Sequence, residues 1–221
     1  MKKLSILSLG LVCLFPCFSQ VNREHNQIRV GDEIIKQQVE YKDPGEAGPN
    51  KVWDFSRLKT VNDAYKLTYT VPPLLDDSLY IMGDYQFNKK QVKQGELIVG
   101  TEHHTMYYYW QRGDSLFLLG HENPTVRLQY TQPVLQLLFP AGYGQADVAK
   151  GYNAKGLYSS TVPIASQGDV TIGVDAFGKM ILPIGDTLSP VVRIKHLKTL
   201  TDENHMSTTT LETSALYFLR G

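Results

Sequence analysis

After residue 20 the chain alternates apolar and polar side chains at the two-residue period of β-strands, in short runs rich in Tyr, Val, Ile, Leu and Thr. Gly, Asp, Asn and Pro interrupt these runs about every eight to twelve residues, the turn spacing of an all-β domain. Tyr65 to Val71 shows the pattern most clearly. Tyr65, Leu67, Tyr69 and Val71 share one face, and Lys66, Thr68 and Thr70 share the other. Pro72-Pro73 then ends the run, because proline cannot donate to a ladder. Upstream, strands are predicted over Glu33 to Tyr41 and Val52 to Leu58. They are joined through Asp43-Pro44-Gly45, where proline presets one turn dihedral and glycine accepts a positive one.

The strongest hairpin signal runs from His103 to Trp110, turns at Arg112-Gly113-Asp114 and returns over Ser115 to Gly120. Further strands are predicted at Tyr152 to Val162, Asp169 to Val174, Lys179 to Pro183, Val191 to Leu197 and Thr208 to Leu219. Asp175-Ala176-Phe177-Gly178 and Gly185-Asp186 read as turns between them. Helical periodicity is weak throughout, its best short stretch being Gln132 to Leu138. With no repeat and no break in composition, residues 20–221 read as a single β-rich domain. An antiparallel two-sheet β-sandwich is favoured, with a closed β-barrel as the alternative. The last strand, so near the final residue, also raises pairing at a sheet edge.

The first nineteen residues change the picture of where this domain works. Lys2 and Lys3, the apolar stretch Leu4 to Phe15 and the step Cys17-Phe18-Ser19 form a cleavable secretory signal over residues 1–19, which places the mature N-terminus at Gln20. A lipid anchor at Cys17 is the competing reading, but Pro16 is a poor fit to the small residue that a lipidation box needs. Both cysteines fall within the leader. The mature chain therefore has no disulfide, thiolate nucleophile or thiolate metal site. Losing Lys2 and Lys3 takes the net charge from zero to −2, too weak a field to argue for nucleic acid. No apolar run beyond residue 20 approaches the roughly 20 residues of a membrane-spanning helix, so no transmembrane segment is expected and the exported protein is read as soluble.

Several phrases in order resemble a family of uncharacterised exported proteins of Bacteroidetes bacteria. They are Gly48-Pro49-Asn50-Lys51-Val52-Trp53-Asp54-Phe55-Ser56, then Tyr107-Tyr108-Tyr109, then Phe139-Pro140 with Tyr143-Gly144. Asp175-Ala176-Phe177-Gly178-Lys179-Met180-Ile181-Leu182-Pro183 follows, continued by Gly185-Asp186-Thr187-Leu188 and Val191-Val192-Arg193-Ile194. The resemblance implies an exported β-domain and carries no catalytic residue with it. Bottom-up, Trp53 and Phe55 share a strand face as core anchors, with Asp54 and Ser56 on the other.

The candidate chemistry is sparse. Glu102-His103-His104 and His121-Glu122 contain zinc-ligand types, yet adjacent strand residues point to opposite faces and no cysteine completes a tetrahedron, so no metal is expected. Asp76 and Asp77 lack the facing separation of a glycosidase pair and read as a solvated turn. Asp202-Glu203-Asn204 begins like a calcium loop but meets Ser207 where glycine is required. Without a G-x-S-x-G elbow, phosphate loop or dinucleotide fingerprint, no enzyme activity and no cofactor is expected. Arg112-Gly113-Asp114 matches an adhesion tripeptide, but a hairpin loop needs its glycine and aspartate anyway. Tyr107, Tyr108, Tyr109 and Trp110 give the best ligand site, since aromatic faces exposed on a sheet stack on sugar rings. Alternation puts Tyr107 with Tyr109 and Tyr108 with Trp110, so one set is expected to face solvent. The reading is an exported binding or interaction module of the cell envelope, periplasmic or at the cell surface, whose partner is a glycan or an envelope protein. A carbohydrate-active enzyme or accessory domain and a structural envelope component are the alternatives.

Overall fold

The computed structural model describes residues 20–72, 96–202 and 206–219. The expected leader with Cys17, the pair Asp76 and Asp77, and Glu203 and Asn204 lie outside these residues. In chain order the elements are β1 (Gln20–Val21), α1 (Arg23–Asn26), β2 (Glu33–Lys36), β3 (Gly48–Asp54), β4 (Tyr65–Thr70), β5 (Leu97–Glu102), β6 (Thr105–Arg112) and β7 (Ser115–Glu122). They continue with β8 (Val126–Leu138), β9 (Ala141–Gly142), β10 (Val148–Tyr158), β11 (Val162–Ile181), β12 (Thr187–Asp202) and β13 (Ser207–Phe218).

The protein is all-β and antiparallel apart from one parallel pairing, and it is not closed into a barrel. Strands follow one another in the order β13-β12-β11-β10-β8-β7-β6-β5-β4-β2, so nearly every strand pairs with its sequence neighbour. The two layers of the sandwich are thus parts of one bent sheet rather than two separate ones. Tyr130, Val134, Leu135 and Leu137 of β8 pack in one cluster with Val170, Ile172 and Val174 of β11 and Val192 and Ile194 of β12. Burying each such aliphatic side chain contributes roughly 1.5–3 kcal/mol.

Turn chemistry explains the hairpins. Gly113, at φ 55°, turns β6 into β7 as the sequence implies. Two other turns use no glycine: His103 and His104 adopt φ 44° and 58° between β5 and β6, and Ser159 and Ser160 adopt 48° and 61° between β10 and β11. Paired positive values are the geometry of a two-residue hairpin such as His103-His104, whereas three residues separate the paired Tyr158 and Val162. Strand prediction through Tyr152 to Val162 therefore runs across a real turn. The stretch Gln132 to Leu138 is the end of strand β8, not a helix, because its apolar side chains supply the core between layers. The Asp175 to Gly178 stretch is likewise no turn. It lies inside β11, a twenty-residue strand whose register shifts at Val174/Ala176 and at Gly178/Met180. These bulges absorb the extra residues without reversing the chain.

The second half of β11 also receives β3, which pairs with it in parallel from Ala176 to Ile181. Trp53, 5% exposed, packs on Ala176 and Val191, with Phe55 at the cluster's margin. The Asp43-Pro44-Gly45 turn is tied down from below. Trp53 Nε1 donates to the Pro44 carbonyl at 3.1 Å, and Arg193 Nη1 donates to the carbonyls of Pro44 and, at 2.8 Å, of Gly45. Arg193 is 3% exposed and grips Asp175 through two further hydrogen bonds of 2.8 Å each.

The start of the described chain covers one end of the core. Val21, fully buried, sits in the main cluster while Gln20 and Val21 pair with Gly142 and Ala141. Asn22 caps α1 by accepting from the His25 N–H at 3.0 Å, and Gly31 N–H donates to the Tyr69 carbonyl at 2.8 Å.

Candidate functional site

The four expected ligand residues divide as alternation requires. Tyr108 and Trp110, 1% and 9% exposed, lie in a cluster with Val99 and Leu119. Tyr108 donates to the Glu122 carboxylate, and Trp110 Nε1 donates to Glu96 Oε2 at 3.2 Å. Tyr108 is thereby enclosed, and Trp110 is nearly so. Tyr107 and Tyr109 point to the opposite face, toward the space between the layers, and keep partial exposure. Their rings are stacked, with centroids 6.5 Å apart.

That inner face carries more chemistry than its sequence segments suggest. Tyr107 opposes His121 on β7, with ring centroids 5.9 Å apart. Across from them, β12 contributes His196 and Lys198. Lys198 Nζ lies 5.2 Å from the centre of the Tyr130 ring and 4.6 Å from that of Tyr152, and it donates to the Tyr130 hydroxyl at 3.3 Å. Tyr152 itself donates to the Thr199 carbonyl at 2.8 Å. His196 is hydrogen-bonded to the Gln136 backbone of the facing layer. Its other nitrogen, Nε2, is buried without a partner. At the near rim, Lys36 of β2 pairs with Glu102 of β5 at 2.6 Å.

Burial sets the protonation of this cluster. It pushes the Tyr130 and Tyr152 phenols up to about 12, and raises Tyr107 and Tyr109 as well, so all four remain hydroxyl donors at neutral pH. Burial lowers Lys198 and both histidines, and for His121 the Lys198 charge adds to the effect. Histidines held below their ordinary value bind their proton more readily in the unfolded chain. Their stabilising contribution is present above about pH 6.5 and is lost as the pH falls through that value toward the folded pKa. The urea midpoint is therefore expected to be lower at pH 5.5 than at pH 7.5. The double variant His121→Gln/His196→Gln should show a smaller drop, and an identical drop would remove the histidines from the account.

No family model, curated protein or solved structure matches the chain. The inner-face cluster is thus read on its own chemistry: aromatic rings, hydroxyl donors and the Lys198 ammonium.

The other sequence candidates disperse. His103 and His104 form a hairpin turn, with the His103 ring centroid 3.9 Å from that of Tyr65, while His121 and Glu122, at the same end of the sheet, pair with Tyr107 and Met106. Among the described residues, no three His, Cys, Asp or Glu side chains converge on a common point. Arg112 lies over the Trp110 ring at 5.2 Å, and the Gly113 carbonyl accepts from Arg23 at 2.7 Å, which ties the tripeptide loop to α1. A groove of about 600 Å³ runs beside that loop, with Trp110, Phe117 and Lys150 in its walls. No helix among the described residues is long and apolar enough to cross a membrane.

Sequence reasoning missed Lys198, His196, Tyr130 and Tyr152. One signal for the first two is in the chain: Val192, Ile194, His196, Lys198 and Leu200 share one strand phase, and two of these five are polar where the phase is otherwise apolar.

Proposed function

We propose that this protein is an exported, non-catalytic binding module of the bacterial cell envelope, and that it takes a glycan on the inner face of its bent sheet. The observation that carries this reading is the pairing of Tyr107 with Tyr109 and His121. Three partly exposed rings cluster beside hydroxyl donors, with those of Tyr109 and His121 each within 6.5 Å of the Tyr107 ring. Sugar rings present C–H faces to such surfaces and hydroxyls to their edges. The leader-like pattern of residues 1–19 supports export, and the resemblance to exported Bacteroidetes domains supports an envelope setting.

Thermal unfolding against a glycan panel tests the reading. A ligand at 100 times its dissociation constant adds about 2.7 kcal/mol of stability, a clear shift for a chain of this size. That shift should vanish in Tyr107→Ala and persist in Tyr41→Ala, whose ring is exposed far from the cluster in sequence. No shift with any glycan, or one that survives Tyr107→Ala, defeats the proposal.

A second reading, a structural envelope component, draws on one feature. Among the described residues nothing pairs the outer edge of β13, and its first eight residues are all exposed. A strand from an envelope protein could extend the sheet there.

A further inference from the structure

Three described lysines have their charge answered by a carboxylate. Lys36 meets Glu102 at 2.6 Å, Lys66 meets Glu33 at 3.0 Å, and Lys195 meets Glu212 at 2.9 Å. The most buried cation, Arg193, has a bidentate carboxylate and two carbonyls. Lys198 is not among them. It is half-buried, yet no described residue forms an ion pair with it.

The groups facing Lys198 come from four strands. Tyr130 of β8 and Tyr152 of β10 present their rings, His121 of β7 is near enough to feel its charge, and His196 shares its own strand face. Val170 of β11 and Leu211 of β13, its pairing partners, are apolar. None of these groups carries a negative charge at neutral pH. Ring quadrupoles attract the ammonium but do not neutralise it, and one hydrogen bond to Tyr130 leaves N–H donors over. Beside it, His196 Nε2 is a second polar atom with no partner. A cation kept in low-dielectric surroundings without its counter-charge is the arrangement of an anion site between ligands.

We propose that Lys198 is the charge-bearing residue of a ligand site on the inner face, and that the ligand is a small organic anion presenting a carboxylate or phosphate. This rests on the binding-module reading and narrows its ligand class to acidic glycans, such as uronates or sugar phosphates. The aromatic surface of Tyr107 and His121 holds the body of the ligand, and Lys198 opposite holds its charge.

Titration of the full chain with glucuronate, glucose, acetate and inorganic phosphate at low ionic strength tests the proposal. Glucuronate or phosphate should bind at least about tenfold tighter than glucose. Lys198→Met should erase that preference, Lys198→Arg should keep it, and Lys155→Met, an exposed lysine, should leave it unchanged. Preference for glucuronate identifies a carboxylate ligand, and preference for phosphate a phosphorylated one. Acetate or phosphate binding without any glycan binding upholds the anion site and defeats the glycan reading. Glucose and glucuronate binding equally well, with no effect of Lys198→Met, upholds the glycan reading and overturns the anion site. Should the methionine variant not fold, the NMR signal of the Lys198 ε-carbon in the unaltered chain decides. It must move with glucuronate or phosphate and stay still with glucose, and a signal that no anion moves overturns the proposal.

Discussion

Arg193→Met is expected to destabilise the protein by about 3–5 kcal/mol, among the largest effects available to a single substitution. The new side chain fills nearly the same volume, so local packing changes little. What is lost is compensation. Asp175 keeps a carboxylate that is only 21% exposed and has lost its bidentate partner, while the Pro44 and Gly45 carbonyls lose a charged donor. A buried acceptor left without its donor costs more than the original bond contributed, because no water replaces it. The check is a urea titration of the variant and of Arg193→Met/Asp175→Leu. The double variant should recover part of the loss, since removing both charges is milder than orphaning one. A loss below about 1 kcal/mol in the single variant would mean that water reaches the pair freely.

Gly178→Ala is expected to cost about 3 kcal/mol or more, and to do so locally. A Cβ at this position would lie 1.9 Å from the Lys51 carbonyl oxygen and 2.6 Å from the Lys51 nitrogen. Both are backbone atoms, so no rotamer change relieves the clash and β3 must move away from β11. Hydrogen exchange separates this from general unfolding: amides of β3 should lose protection while those of β6 and β7 keep theirs. Gly113→Ala is the matched control. There nothing lies within 4 Å of the added carbon, and the cost is only that of a left-handed backbone, about 1–2 kcal/mol. Equal effects at the two glycines would rule out close approach as the reason for Gly178.

Gly178 also shows where reading the chain alone succeeds and where it stops. Glycine in a sequence marks either a positive φ or a close contact, and the residue type does not say which. Gly113 is the first kind and its hairpin is legible; Gly178 is the second, and the predicted turn around it is a pair of bulges inside a long strand. The stretch Gln132 to Leu138 failed for another reason. A short apolar run serves a buried strand as well as a helix, and only the facing β11 and β12 decide between them. At the site, alternation correctly separated Tyr107 and Tyr109 from Tyr108 and Trp110. Which set remains accessible depends on what covers each face, a property of the folded layers. Lys198 was invisible as a candidate because its significance lies in a missing counter-charge, and absence of a partner appears only in three dimensions.

The order of the strands carries a kinetic consequence. Hairpins of the β4 to β13 meander join near neighbours in sequence, so each can form at a small loop-closure cost once its predecessor exists. The union of β3 with β11 brings together segments more than a hundred residues apart and cannot begin until β11 has been made. Refolding should therefore be biphasic in space: a meander that assembles first, followed by late docking of β3 onto a surface already in place. During synthesis the same order would leave β3 waiting, unpaired, until β11 has emerged.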